Sequence, residues 1–346
     1  MKDAQVDQKI DMEEPECELG HRVVAPNKKK ITSAHRRKDL CPSSMVLPTL
    51  ILVLIGLVVF DVIMESNIIS RVPAAILSSN HEICSPKVLN ASAIEYHSGH
   101  RYYDELKDMT VPVPVFRDQH TTLCGKKTRL AAKYNYCLPI SGRKDAPFCS
   151  AADRMDLLNL RSPKSTCYAS VLHMLMVEIY EELQATGNIP FLTFGSLLGA
   201  VRNSSMIPFT EDVDIGFVGE LVAPDALRLA LRRKGYHMFF MDIWRVCVAP
   251  THPLAGYLYD PNVPLAESFA VPYVDMYMMK QKDDGDWDLQ ELEGSNGRLL
   301  PDKRVQPFSQ VKINNMSFDA VQDPRFFLQE AYGDDYMTPK PRKEQS

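Results

Sequence analysis

The sequence of 346 residues lacks any excess of basic charge: 39 Lys+Arg stand against 44 Asp+Glu, a net charge of -5. Without a global positive field to neutralise phosphates, nucleic acid is not an expected partner. Glycine is scarce, 16 residues with no repeat period, which argues against collagen-like chains and solenoid arrays. No Cys-x-x-Cys pair occurs among the eight cysteines, so a zinc cluster is the lesser reading of them. The most telling absence is local, because no charged residue occurs from Cys41 to Phe60. A helix of that length spans about 30 Å, the thickness of a bilayer's hydrocarbon core. Upstream lie Arg22, Lys28, Lys29, Lys30, Arg36, Arg37 and Lys38 against the single acid Asp39 of residues 21–40. The positive-inside rule then makes residues 1–44 a cytoplasmic tail. The apolar run is too long and too far from the start for a cleaved signal peptide, so 45–64 is expected to be a retained single-pass signal anchor. Everything beyond it is expected to be lumenal, in a type II membrane protein.

What is present fits that placement. Six cysteines, Cys84, Cys124, Cys137, Cys149, Cys167 and Cys247, fall after the anchor, an even number compatible with three disulfides in an oxidising compartment, although their pairing is not readable. Asn90-Ala-Ser, Asn203-Ser-Ser and Asn315-Met-Ser are glycosylation sequons. Residues 65–150 carry scattered Pro, His and Cys and read as a lumenal stem with some packed structure. From 151 the periodicity sharpens. Val171, Leu172, Leu175, Met176, Ile179 and Leu183 are spaced by three and four, predicting a helix over Tyr168–Leu183 with one buried face that ends near Gly187.

A strand, a turn and a helix follow in Ile189-Pro-Phe-Leu-Thr-Phe-Gly-Ser-Leu-Leu-Gly-Ala-Val-Arg202. Gly195 leaves the backbone open to a ligand, Ser196 suits an N-cap, and a helix N-terminus favours an anion. Arg202, two turns on, could reach a phosphate or simply close the helix at the surface. Ten residues downstream comes Glu211-Asp212-Val213-Asp214-Ile215-Gly216. Residues two apart in a strand share a face, so Asp212 and Asp214 project side by side, a geometry that can hold hard divalent cations. Val271-Pro-Tyr-Val-Asp275-Met-Tyr-Met embeds one more carboxylate in an apolar strand, where an unpaired charge would cost several kcal/mol. A shared metal would account for it. Asp284-Gly-Asp-Trp-Asp288 reads as a hairpin turn rather than a calcium loop, and Ala223–Gly235 and Asp323–Gly333 as capped scaffold helices.

These motifs resemble the LicD/fukutin family of the nucleotidyltransferase superfamily. Phe194-Gly-Ser-Leu-Leu-Gly-Ala-Val-Arg202, Ile207-Pro208, Asp212-Val-Asp-Ile215 and Tyr332-Gly-Asp-Asp-Tyr-Met-Thr-Pro339 follow that family's blocks in order, over roughly residues 165–340. The resemblance implies an α+β domain over 151–346, a mixed sheet flanked by helices. It implies that Gly195, Ser196 and Arg202 hold phosphate and that Asp212, Asp214 and Asp275 bind Mg2+ or Mn2+. It implies transfer of a phosphorylated alcohol or sugar, such as ribitol phosphate or phosphocholine, from a CDP-linked donor to a glycan hydroxyl in the Golgi or endoplasmic reticulum membrane, with Asp275 foremost among the carboxylates that could take the proton. Two departures matter. Phe209-Thr210 stands where the family has Trp-Asp, and Glu211 would point to the other face of a continuous strand. Tyr336 replaces the family's closing Trp. A glycan on Asn203 would be expected to crowd the site, so that sequon is expected to be unused. The departures keep open an alternative, a catalytically inactive lumenal adaptor that binds a glycan or a partner transferase.

Overall fold

The computed structural model describes residues 51, 52 and 55 and residues 82–339, apart from 131–132, 160–165 and 267–270. Its principal elements are, in chain order, α1 (Arg101–Asp108), α2 (Tyr168–Ala185), β1 (Pro190–Leu192), α3 (Phe194–Asn203), β2 (Asp212–Val218), α4 (Pro224–Arg233), β3 (Tyr236–Met241), β4 (Ile243–Val248), β5 (Tyr273–Gln281), β6 (Trp287–Leu289), β7 (Leu299–Leu300), β8 (Ser309–Ile313), β9 (Met316–Ala320) and α5 (Pro324–Tyr332). The sheet runs β1-β2-β5-β4-β3, with β6 paired to β5 and β7 to β6. Only β2 and β5 run parallel within it, so the sheet is mixed. The β8–β9 hairpin forms a separate ladder. This is the α+β class expected of the sequence.

The expected tail, nearly all of the expected anchor and residues 65–81 lie outside the described residues. Among the described residues no helix is long and apolar enough to cross a membrane. The described part of the expected stem has no packing boundary at residue 150. Tyr102, Tyr103, Leu106, Phe116 and Ile140 are buried in the same cluster as Leu172, Val213 and Met276. Disulfides Cys137–Cys247 and Cys149–Cys167 cross that point, and Cys84–Cys124 completes the pairing of the six cysteines.

Helix α2 covers the segment its spacing predicts, and Gly187 beyond it has a φ of +83°. It differs from expectation in being buried nearly all round rather than on one face. Its polar side chains have partners instead of solvent. Lys234 Nζ lies 2.5 Å from Glu178 Oε1 and 2.6 Å from Glu182 Oε1, and the Tyr103 hydroxyl donates to Glu178 Oε2 at 2.8 Å. Lys234, just beyond α4, is therefore the counter-ion of two buried glutamates. The scaffold helices end as expected: Pro224 opens α4, and the Asp323 side chain accepts from the Phe326 N–H at 3.0 Å to cap α5. The Asp284 segment is the turn between β5 and β6, closed by the Lys282 N–H to Asp286 carbonyl bond at 2.7 Å, with Gly285 at φ +93°.

Candidate active site

Alternation along β2 turns Val213 and Ile215 into the core and leaves Asp212 and Asp214 on the opposite face. Parallel pairing with β5 then sets Asp214 directly beside Asp275, and antiparallel pairing sets Arg245 of β4 beside Asp275 on its other flank. The sheet thus brings together three acids that are 63 residues apart at the extremes of the sequence. Ligand oxygens of Asp212, Asp214 and Asp275 all lie within 4.8 Å of one another.

Each carboxylate is held by a specific donor. Thr210 Oγ1 donates to Asp212 Oδ1 at 2.8 Å, the Gly195 N–H to Asp214 Oδ2 at 2.8 Å, and Arg245 Nε to Asp275 Oδ1 at 2.7 Å. The Tyr277 hydroxyl sits 3.2 Å from Asp214 Oδ1 and 3.3 Å from Asp275 Oδ2. Burial, and then repulsion from Asp212 and Asp275, pushes the Asp214 carboxyl well above the usual carboxylate range. Burial also pushes Asp275 up to about 7, with Arg245 opposing the rise and Asp212 adding to it. Three converging acids with one guanidinium among them leave a net negative cluster. Its all-oxygen donor set fits a hard divalent cation such as Mg2+ or Mn2+, and a bound cation would offset the repulsion that raises Asp214.

Asp212 and Asp214 border a cavity of about 460 Å³. Phe194, Phe209, Tyr277 and Tyr332 give it aromatic walls, and Asp212, Asp214 and Glu291 its charge; no Lys, Arg or His lines it among the described residues. Asp275 does not line it either. It is buried beside Asp214 and tied to Arg245.

The three residues expected to hold phosphate behave differently from one another. Gly195 lines the cavity, but its N–H already serves Asp214, and a Cβ there would fall 2.9 Å from Asp214 Oδ2. Thr193, not Ser196, occupies the N-cap of α3; Ser196 is buried one turn in, where its Oγ accepts from the Asp214 N–H at 2.8 Å. Gly195 and Ser196 therefore fasten the helix to β2. Arg202 is turned away from the cavity: its guanidinium donates to the carbonyls of Tyr336 and Thr338 and holds the C-terminal segment against α3. Position along the helix explains this, because Arg202 is about 10 Å from Gly195 at 1.5 Å per residue. Asn203 lies at that same far end and is exposed, so the crowding expected of a glycan does not follow from its position. Glu211 is paired with Lys144 and is not part of the cavity lining, in keeping with the face expected for it.

Three participants escaped the sequence reading: Arg245, Tyr277 and Glu291. Arg245 left a signal, since an arginine within Ile243-Trp-Arg-Val-Cys-Val248 demands a buried counter-charge by the logic applied to Asp275. Tyr277 left a weaker one, two residues from Asp275 and hence on its face. Glu291 left none, because its place depends on the turn after β6.

Residues 189–321 match the family model described as LicD/FKTN/FKRP, nucleotidyltransferase domain. The match takes in β1 to β9 and all six residues singled out in the sequence, while the closing block from Tyr332 lies beyond it. No curated protein matches the chain. The matched family is the one that the motifs resembled, and at a coarse level it is consistent with a transferase acting on phosphoryl groups.

Proposed function

We propose that this LicD/fukutin-family domain transfers a phosphorylated alcohol or sugar, ribitol phosphate or phosphocholine among them, from a CDP-linked donor to the hydroxyl of a glycan. The observation that carries this reading is the convergence of Asp212, Asp214 and Asp275 beside a cavity walled by aromatic rings and free of cationic side chains among the described residues. A diphosphate entering such a cavity meets only acids, so it would bind together with a cation. Asp212 and Asp214 at the cavity wall and Asp275 behind them would hold Mg2+ or Mn2+, which when bound supplies charge neutralisation for the diphosphate and for the departing nucleotide phosphate. Arg245 fixes Asp275, Thr210 orients Asp212, and the Gly195 N–H fixes Asp214. The aromatic walls suit a nucleobase or the donor's carbon skeleton. Three disulfides and three exposed sequon asparagines support a lumenal setting in the Golgi or endoplasmic reticulum, anchored as a single-pass type II protein.

A second reading, the inactive adaptor, is favoured by one observation: Thr210 in place of an acid and Arg202 facing away leave fewer groups on the donor than the family pattern implies. Calorimetric titration of the purified full chain with CDP separates the two. Binding that needs Mg2+ or Mn2+ and disappears in Asp212→Asn supports the transferase. A folded chain that binds no nucleotide with either metal supports the adaptor.

A further inference from the structure

If the triad holds a cation, a separate group must receive the proton of the attacking hydroxyl, and the cavity narrows the choice. Of the three acids lining it, Asp212 and Asp214 belong to the triad. The Tyr277 hydroxyl is engaged by Asp214 and Asp275, and Tyr332, like Tyr277, offers a phenol rather than a carboxylate. Asp275 is buried outside the lining and bonded to Arg245. Glu291 remains. It is exposed, lines the cavity, and makes no hydrogen bond or ion pair among the described residues.

The backbone beneath Glu291 adds an independent observation. After β6 the chain turns through Leu289–Leu292, closed by the Leu292 N–H to Leu289 carbonyl bond at 3.3 Å. Glu291 occupies the third position of this turn at φ +63°, a conformation that favours glycine or asparagine there. Its neighbours fix that conformation. Gln290 is tied to β5 by its backbone N–H to the Met278 carbonyl at 2.9 Å and by its side-chain oxygen to the Met278 N–H at 3.3 Å, and Leu292 is buried. A strained, unpartnered carboxylate held at the edge of a reaction cavity by two anchored neighbours is the kind of outlier that points to function.

We propose that Glu291 is the catalytic base of the transfer, an inference that rests on the transferase reading. The acceptor hydroxyl oxygen forms a bond to the phosphorus that carries the alcohol, the bond from that phosphorus to the bridging oxygen of the donor breaks, CMP leaves, and the hydroxyl proton passes to the Glu291 carboxylate and then to solvent. No oxidant or further reactant is needed.

The test uses the purified full chain and the variants Glu291→Gln and Glu291→Gly. It measures Mn2+ and CDP binding by calorimetry, thermal unfolding, and CMP release from CDP-ribitol, CDP-choline and CDP-glycerol with a secretory glycoprotein fraction as acceptor. The expected result is a fall in kcat of at least about 100-fold in both variants, the lower range for a general base. KM and Mn2+ and CDP affinities should stay within about threefold, well inside one tenfold step of binding free energy. Glu291→Gly should unfold at the same or a higher temperature, because glycine suits the turn; a merely structural glutamate would not combine greater stability with lost turnover. Variants that keep half or more of the wild-type kcat, or that lose Mn2+ affinity tenfold as a metal ligand would, overturn the role of Glu291 while leaving the transferase intact. A wild-type chain that binds CDP with neither metal and releases no CMP overturns the transferase reading and the base together.

Discussion

At the scale of single residues the candidate site is held by partners as much as by its acids. Arg245 is the clearest case, since removing it would leave Asp275 buried beside two other acids, with the Tyr277 hydroxyl as its remaining hydrogen-bond donor among the described residues. Arg245→Met is expected to destabilise the metal-free chain by about 3 kcal/mol, the usual result of breaking a buried ion pair from one side, as read by urea unfolding. Gly195→Ala places a methyl 2.9 Å from Asp214 Oδ2 and should weaken Mn2+ binding with little effect on folding, measured by titration and unfolding in parallel. The Asp275 carboxyl gives a pH signature. Its folded-state value of about 7 lies above its unfolded value near 4, so the folded state holds the extra proton between those limits. Stability from this group is present at low pH and lost as pH rises toward 7. His237, pushed down to about 4, and His252, pushed down to about 3, act the other way, because the unfolded chain takes up protons below pH 6.5 first. The comparison that isolates the aspartate is therefore wild type against Asp275→Asn without metal. Wild type should lose more stability between pH 5 and 7.5, and equal slopes would contradict the assignment. Asp212, Asp214 and Asp275 were legible because strand alternation is a property of short sequence. Arg202 was not, because its choice between an anion and two carbonyls is made by a segment 134 residues away.

At the scale of elements, α3 and the loop that follows it decide the shape of the cavity. Gly199 sits where a Cβ would come within 2.6 Å of the Ser205 carbonyl oxygen, so the returning chain that carries Ile207, Phe209 and Thr210 packs directly on the helix. Gly199→Ala must push that chain outward. A stability loss of about 1–3 kcal/mol is expected, as for overpacking, together with weaker metal-dependent CDP binding. Unchanged binding would mean that the loop does not shape the donor pocket. Helix α2 shows where periodicity stops being informative. Its apolar spacing located the helix correctly, but Glu178, Glu182 and His173, which lie outside that apolar set, are buried as well. What covers them comes from other parts of the chain, including Tyr103 and Lys234, and no local pattern announces a long-range cover. The same holds for the N-cap of α3: Ser196 has the right chemistry for a cap, yet Asp214 claims its hydroxyl and Thr193 takes the cap position without a side-chain bond.

At the scale of the whole molecule, the segment read as a stem joins the core, and the disulfides explain how two poorly periodic stretches remain packed. Cys137–Cys247 joins the segment before α2 to β4 across 110 residues, and Cys149–Cys167 fastens the approach to α2. Closing a loop of that size removes on the order of 4 kcal/mol of unfolded-state freedom in the chain-entropy account. Such pairing belongs to an oxidising compartment, which links the fold to the topology inferred from the uncharged run at residues 41–60. The six cysteines from Cys84 to Cys247 are paired, whereas Cys17 and Cys41 both fall before the expected anchor. Asn90, Asn203 and Asn315 are all exposed. Two measurements on the chain expressed in secretory cells follow from one placement. Alkylation without reductant should label at most Cys17 and Cys41, and glycosidase treatment should lower the mass by one to three N-linked glycans, the number of sequons. Labelling of the six downstream thiols in an unglycosylated chain would put the domain on the reducing side of the membrane. The active-site geometry would survive that result, since neither the triad nor Glu291 depends on a glycan, but the glycan acceptor would lose its physical basis and a cytosolic hydroxyl would have to replace it.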